Sequence, residues 1–174
     1  MHGIVERLRP GVDQRVVRGV VAGFVAGLLF LLANMWYADG RGKPAVAPLY
    51  DISTIFYFSD KPDPTPENAV VGLIVHLTLA GGFGALLAVV VPLFASRRAL
   101  ALGAVAFGLA LYVVNFQVLG RLVFEWFQKG PDQAFEVVAH AGFGLLLAPF
   151  LLGYASEAER PEAAPAAQPR PARA

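Results

Sequence analysis

Cysteine is absent from the 174 residues. That excludes disulfides, thiolate metal sites, cysteine nucleophiles and covalent haem attachment together. Charge is scarce: Asp, Glu, Lys and Arg make up 16% of the chain, where about 25% is usual in soluble domains. The 14 basic and 13 acidic residues nearly cancel, leaving a net charge of +1. They form no dense basic block, so nucleic acid is not expected as a partner. Catalytic signatures are missing too: there is no G-x-S-x-G, no H-E-x-x-H, no phosphate loop and no dinucleotide fingerprint after a strand. What the chain has in excess is apolar surface. Hydrophobic residues reach 56%, more than a soluble core of this size can hide from water. A soluble enzyme is thereby set aside in favour of an integral membrane protein.

A helix needs about 20 apolar residues to cross a hydrocarbon layer about 30 Å thick. Four stretches meet that need: 16–37, with the single charge Arg18; 68–95, with none; 99–124, uncharged until Arg121; and 134–155, with Glu136 near its start. Lipid offers no hydrogen-bond partners, so these runs must be helices, and they lack the alternation of a β-barrel. The expected fold is an all-α four-helix transmembrane bundle over residues 1–155. The first run is longer than a signal-peptide core and no small-x-small site follows it, which predicts a retained anchor. Residues 156–174, rich in Ala, Pro, Glu and Arg, read as a disordered cytoplasmic tail.

Orientation is read from the basic flanks. Arg7, Arg9, Arg15, Arg18, Arg97, Arg98, Arg160, Arg170 and Arg173 fall on one side. Arg41, Lys43, Lys61, Arg121 and Lys129 are spread through the longer segments of the other. Both termini are therefore expected in the cytoplasm, with Trp36 and Trp126 at the outer interface. The outer loop, 38–67, carries an apolar, aromatic stretch at 49–58 that is too short to span. It reads as a short helix that lies on the interface or caps the bundle, with a lid or partner-binding role as the sharper alternative.

Small residues recur at four-residue spacing, as expected of helix contact seams in lipid. The first helix has Gly19, Gly23 and Gly27; the second has Gly72, His76, Ala80, Gly84 and Ala88; the fourth has Glu136, His140, Gly144 and Ala148. Residues 27–34 resemble 108–115, and 82–88 resemble 142–148. Two tandem copies of a two-helix hairpin would explain this, and so would chance in low-complexity apolar sequence. Aligning the histidines instead shifts the register by one turn.

The intramembrane polar residues are the functional candidates. Asn34, His76, Asn115, Gln117, Arg121, Glu136 and His140 all fall in the outer half, which describes a polar vestibule rather than a continuous ion path. Gln117, Arg121 and Glu125 share one i, i+4 row, so Arg121 is expected to pair with Glu125 or to reach Glu136. Three readings compete for His76 and His140: interhelical hydrogen bonding, axial ligation of haem b, or a metal or proton site shared with Glu136.

Residues 106–115, the short proline-bearing loop that follows and Phe135-Glu-Val-Val-Ala-His140 together resemble small bacterial inner-membrane proteins of the YagU-like kind. The resemblance covers the second half of the chain. It implies a multi-pass protein of the bacterial inner membrane, loosely linked to envelope stress, and it supplies no catalytic residue. The leading expectation is a non-enzymatic, cofactor-free membrane protein with an outer-facing polar vestibule and an accessory or small-solute-handling role. Its partners would be the lipid bilayer and a second copy or another membrane protein. The alternatives are a haem b electron carrier with two histidine ligands and a metal or proton transporter.

Overall fold

The computed structural model describes residues 11–59 and 61–155, together with Val5, Leu8 and Arg9. The expected tail, 156–174, lies outside the described residues, as do Arg7, Arg160, Arg170 and Arg173. The described chain is helical, without strands. The long helices are α1 (Val12–Gly40), α3 (Pro66–Val90), α4 (Arg97–Tyr112) and α6 (Gln133–Leu151). A 3-10 turn, Val91–Leu93, follows α3, and α4 runs on through a π-helical segment, Val113–Leu119, to a last turn at Gly120–Leu122. Two short helices, α2 (Ala47–Tyr57) and α5 (Trp126–Lys129), sit in the connections at one end. Val12–Gly40, Pro66–Leu93, Arg97–Leu122 and Gln133–Tyr154 are each long and apolar enough to cross a membrane. The chain is a multi-pass membrane protein built as a four-helix bundle.

Side-chain caps set three of the four starts. Thr65 accepts from the Asn68 N–H ahead of Pro66, Ser96 from Ala99 N–H, and Asp132 from Phe135 N–H. Large apolar residues such as Leu28, Leu32, Leu102 and Val138 are exposed, as a lipid-facing surface requires.

The bundle is two tight hairpins, α1 with α3 and α4 with α6, joined chiefly where α1 meets α6. Within each hairpin backbone lies on backbone. A Cβ at Gly84 would stand 2.0 Å from Gly19 O and 2.8 Å from Gly23 N. A Cβ at Gly144 would stand 2.0 Å from Ala104 O and 3.0 Å from Gly108 N. The two seams therefore share one geometry, with Gly84 and Gly144 in equivalent places. In that register Ala80, not His76, occupies the position of His140: Gly23 meets Ala80 O as Gly108 meets His140 O. The match of 82–88 with 142–148 keeps this register, whereas the alignment on the histidines and the match of 27–34 with 108–115, which would pair Gly27 with Gly108, are each one turn out of step with it.

At the end away from α2, Arg15 is only 2% exposed, although its position in a basic flank predicts a solvated side chain. Its Nε donates to Ala88 O at 3.2 Å and its terminal nitrogen to Leu8 O at 2.6 Å. The cause is Pro92. Proline has no N–H to offer the carbonyl four residues earlier, and that carbonyl belongs to Ala88. Arg18 stands over the Tyr154 ring, 5.4 Å from its centroid.

Substitution at the seams should separate them from the surface. G84L and G144L are each expected to destabilise the bundle by about 3 kcal/mol, the upper range for overpacking. G82L and G142L, where an added Cβ meets nothing within 4 Å, should stay within about 0.5 kcal/mol of the parent. Thermal unfolding of the four variants in one detergent checks this.

Candidate functional site

The seams close only half of the bundle. Beyond Gly27 on α1 and Gly108 on α4, and before Ala80 on α3 and Gly144 on α6, small residues give way to Phe30, Leu31, Leu111, Phe116, Leu79 and Phe143. The helices enclose there a cavity of about 660 Å³. Asp51, Ile52 and Ile55 of α2 contribute to it, and Trp126, Phe127 and Pro131 come from the connection between α4 and α6. The 49–58 stretch thus caps the bundle: the Leu49 carbonyl rests on α3 at Gly72, where a Cβ would stand only 1.9 Å away.

Five of the seven candidate polar residues line this space: Asn34, His76, Asn115, Glu136 and His140. Gln117 and Arg121 do not. Asn34 turns its amide back to Phe30 O of its own helix, at 3.1 Å. Asn115 is half-buried on the π-helical segment, a distortion that recurs at functional sites.

The histidines are held by carbonyls, which only accept, so each bonded nitrogen carries the proton. His76 donates Nε2–H to Gly27 O at 2.8 Å across the α1–α3 seam. His140 donates Nδ1–H to Glu136 O at 2.8 Å within α6. His76 therefore keeps its Nδ1 lone pair and His140 its Nε2. Phe30 packs against both rings, stacked on His76 at 5.9 Å and edge-on to His140 at 4.9 Å. Tyr112 and Phe116 complete an aromatic surround for His140. Among the described residues, no three His, Asp or Glu side chains gather so as to hold a metal ion. His76, Glu136 and His140 line one cavity, but they do not form the three-ligand metal group that is one of the three readings for them.

Arg121 pairs with neither Glu125 nor Glu136. Its helix stops at Leu122, which takes Glu125 out of the i, i+4 row, and Glu125 binds Lys129 at 2.5 Å instead. Arg121 donates to Gln117 Oε1 at 3.0 Å. Gln117 donates to the Tyr112 hydroxyl and Tyr112 to Gln133 Oε1, both at 2.9 Å, and Gln133 donates to Phe127 O at 2.8 Å. This one-directional chain ties the π-helical segment to the start of α6. Tyr112 and Gln117 are five residues apart, a spacing that shares a face in a π-helix and not in an α-helix.

Trp126 also departs from expectation. Trp36 is 74% exposed, as a membrane-interface residue should be, whereas Trp126 is 8% exposed, stacked on Phe127 at 3.9 Å and part of the cavity wall. Its Nε1 is the one buried side-chain nitrogen or oxygen among the described residues that lacks a hydrogen-bond partner. Buried indole N–H groups are ordinarily satisfied.

At the mouth, Asp132 accepts from the Phe135 N–H and from the Tyr37 hydroxyl, which hold its carboxyl below the usual carboxylate range. Asp51 shows the opposite behaviour. Burial pushes its carboxyl up to about 6, with Lys43 opposing. Comparison with protein-family models, with curated proteins and with solved structures finds no match.

The shift of Asp51 has a stability consequence. Between the unfolded value near 4 and the folded value of about 6, the native state holds more protons than the unfolded chain. Stability should therefore fall as pH rises through that window, by up to about 3 kcal/mol. D51N should abolish this fall and leave the protein more stable than the parent at pH 7, measured by thermal unfolding from pH 4 to pH 8.

Proposed function

We propose that this chain is a non-enzymatic, cofactor-free protein of a bacterial inner membrane that holds a small amphipathic solute in its half-open bundle. The observation that carries the reading is the cavity: about 660 Å³, walled largely by aromatic and aliphatic side chains, with a few convergent polar groups. Sites for small organic molecules have this size and makeup. A conduction path would need polar groups along the whole bundle, and the closed half is Gly, Ala, Leu and Val packed backbone to backbone. The buried, unpartnered Trp126 N–H and the half-buried Asn115 amide at the wall favour an occupant that brings its own hydrogen-bonding atoms.

The cavity mouth is read as outer-facing, with both termini cytoplasmic. Arg15 and Arg18 in α1 and Arg97 and Arg98 in the short turn into α4 cluster at the closed end, where the positive-inside bias places the cytoplasm. The likeness of 106–115 and 135–140 to YagU-like proteins agrees with a bacterial inner membrane. An accessory role beside a second membrane component is part of this reading. The haem b alternative draws less support, because His76 commits Nε2 to Gly27 and Phe30 packs on both imidazoles.

The absence of cysteine makes single-cysteine labelling direct. In lipid vesicles, N115C should react with a small water-borne methanethiosulfonate, and L100C, fully buried in the closed half, should not. Triphenylphosphine oxide, a neutral amphiphile, should protect N115C several-fold. In intact cells K61C should take an impermeant maleimide and R98C only after permeabilisation. An inert or unprotected N115C contradicts the solute reading, and the reverse labelling pattern contradicts the orientation.

A further inference from the structure

The charged residues of the cavity wall are Arg41, Lys43, Asp51, Asp132 and Glu136. Four of these answer one another at the mouth. Arg41 acts on Asp132 and Lys43 on Asp51, and Asp132 is further satisfied by Tyr37 and the Phe135 N–H. Glu136 is left over. It is 5% exposed, and among the described residues no Lys or Arg pairs with it. The one basic side chain within ion-pair distance among the described residues is His140, whose Nδ1 lies 3.5 Å from Oε2, but that nitrogen already donates its proton to the Glu136 backbone carbonyl. The charges nearest in kind, Asp51 and Asp132, are of the same sign.

A carboxylate taken out of water without a counter-charge is costly, and a cation brought beside it removes that cost. The wall around Glu136 is suited to receive one. Phe30, Phe116, Phe127 and Trp126 line the same cavity, and aromatic rings attract cations, most strongly when both are desolvated. A bare metal ion would leave most of 660 Å³ unfilled and find too few ligands. An anion would meet Glu136 with no free positive partner at that depth, since Lys43 is turned to Gly130 O at the mouth.

We infer that the cavity takes an amphipathic organic monocation, such as a hydrophobic amine or quaternary ammonium, with its charge beside Glu136 and its apolar body among the aromatic rings. The inference rests on the reading of the cavity as a solute site and names the class of solute. The unpartnered Trp126 N–H would add a hydrogen bond to a cation that carries an ether or carbonyl oxygen on the part of the molecule nearest α5.

The test uses W36F protein in lipid nanodiscs, where Trp126 is the sole indole, with empty discs as the blank. Three phenyl-bearing probes differ in charge: the near-isosteric tetraphenylphosphonium and tetraphenylborate, and the smaller, neutral triphenylphosphine oxide. Saturable quenching of Trp126 by tetraphenylphosphonium is expected, at least about tenfold tighter than by the borate. E136Q should lose that preference, E136D should keep it, and the neutral oxide should bind both alike. The cation-to-anion preference of the parent needs no Glu136 variant, so misfolding of E136Q leaves it decisive. Equal binding of all three probes, or a preference for the borate, overturns the monocation inference and leaves the solute reading standing. No saturable quenching by any probe overturns both.

Discussion

Everything in this bundle depends on two places where helices touch backbone to backbone. In lipid there is no hydrophobic force to press apolar helices together, so close packing of small residues has to do it. Gly84 against Gly19 and Gly23, and Gly144 against Ala104 and Gly108, set the two hairpins at their shortest separation. The same four helices then part on either side of larger residues, because Phe30, Leu79, Phe116 and Phe143 cannot approach as glycine does. Closure of one half and opening of the other are thus one consequence of where the small residues end.

The polar groups follow that division. In the closed half Arg15 serves a carbonyl that Pro92 leaves without a donor. In the open half the polar groups face a common space and are incompletely satisfied by the protein. A carbonyl across the α1–α3 seam fixes the proton of His76 and one within α6 that of His140, and the chain from Arg121 through Gln117, Tyr112 and Gln133 holds the π-helical segment against α6. Trp126 and Glu136 stand apart from these arrangements, one an unmet donor and the other a carboxyl without a cation. Both stand at the wall of the same cavity.

Much of this is legible in the sequence because the membrane makes the rules simple. Uninterrupted apolar runs locate the four helices, and rows of Gly and Ala mark the faces that meet. Asn34, His76, Asn115, Glu136 and His140 announce themselves as polar residues in apolar surroundings. What is not legible depends on departures from the regular helix. The π-helical segment brings Tyr112 to Gln117, a five-residue spacing that α-helical reasoning passes over. The stop at Leu122 removes Glu125 from the reach of Arg121. Trp126 looks like an interfacial tryptophan by position, and only the short α5 turn swings it into the wall. Arg15 reads as a basic flank until the missing N–H of Pro92 is traced back to Ala88. The register of the two seams is ambiguous in sequence because a row repeating every four residues matches itself one turn away.

The account turns on the open half being a site that a solute enters, with Trp126 as its unmet donor. The most direct measurement is the indole ¹H–¹⁵N resonance of Trp126 in ¹⁵N-labelled W36F protein, recorded while triphenylphosphine oxide is added. The predicted result is a single indole peak at the position of an unbonded N–H that moves downfield, to saturation, as the phosphoryl oxygen reaches it. A peak that already sits at a hydrogen-bonded position, or that stays still at every loading, would contradict it.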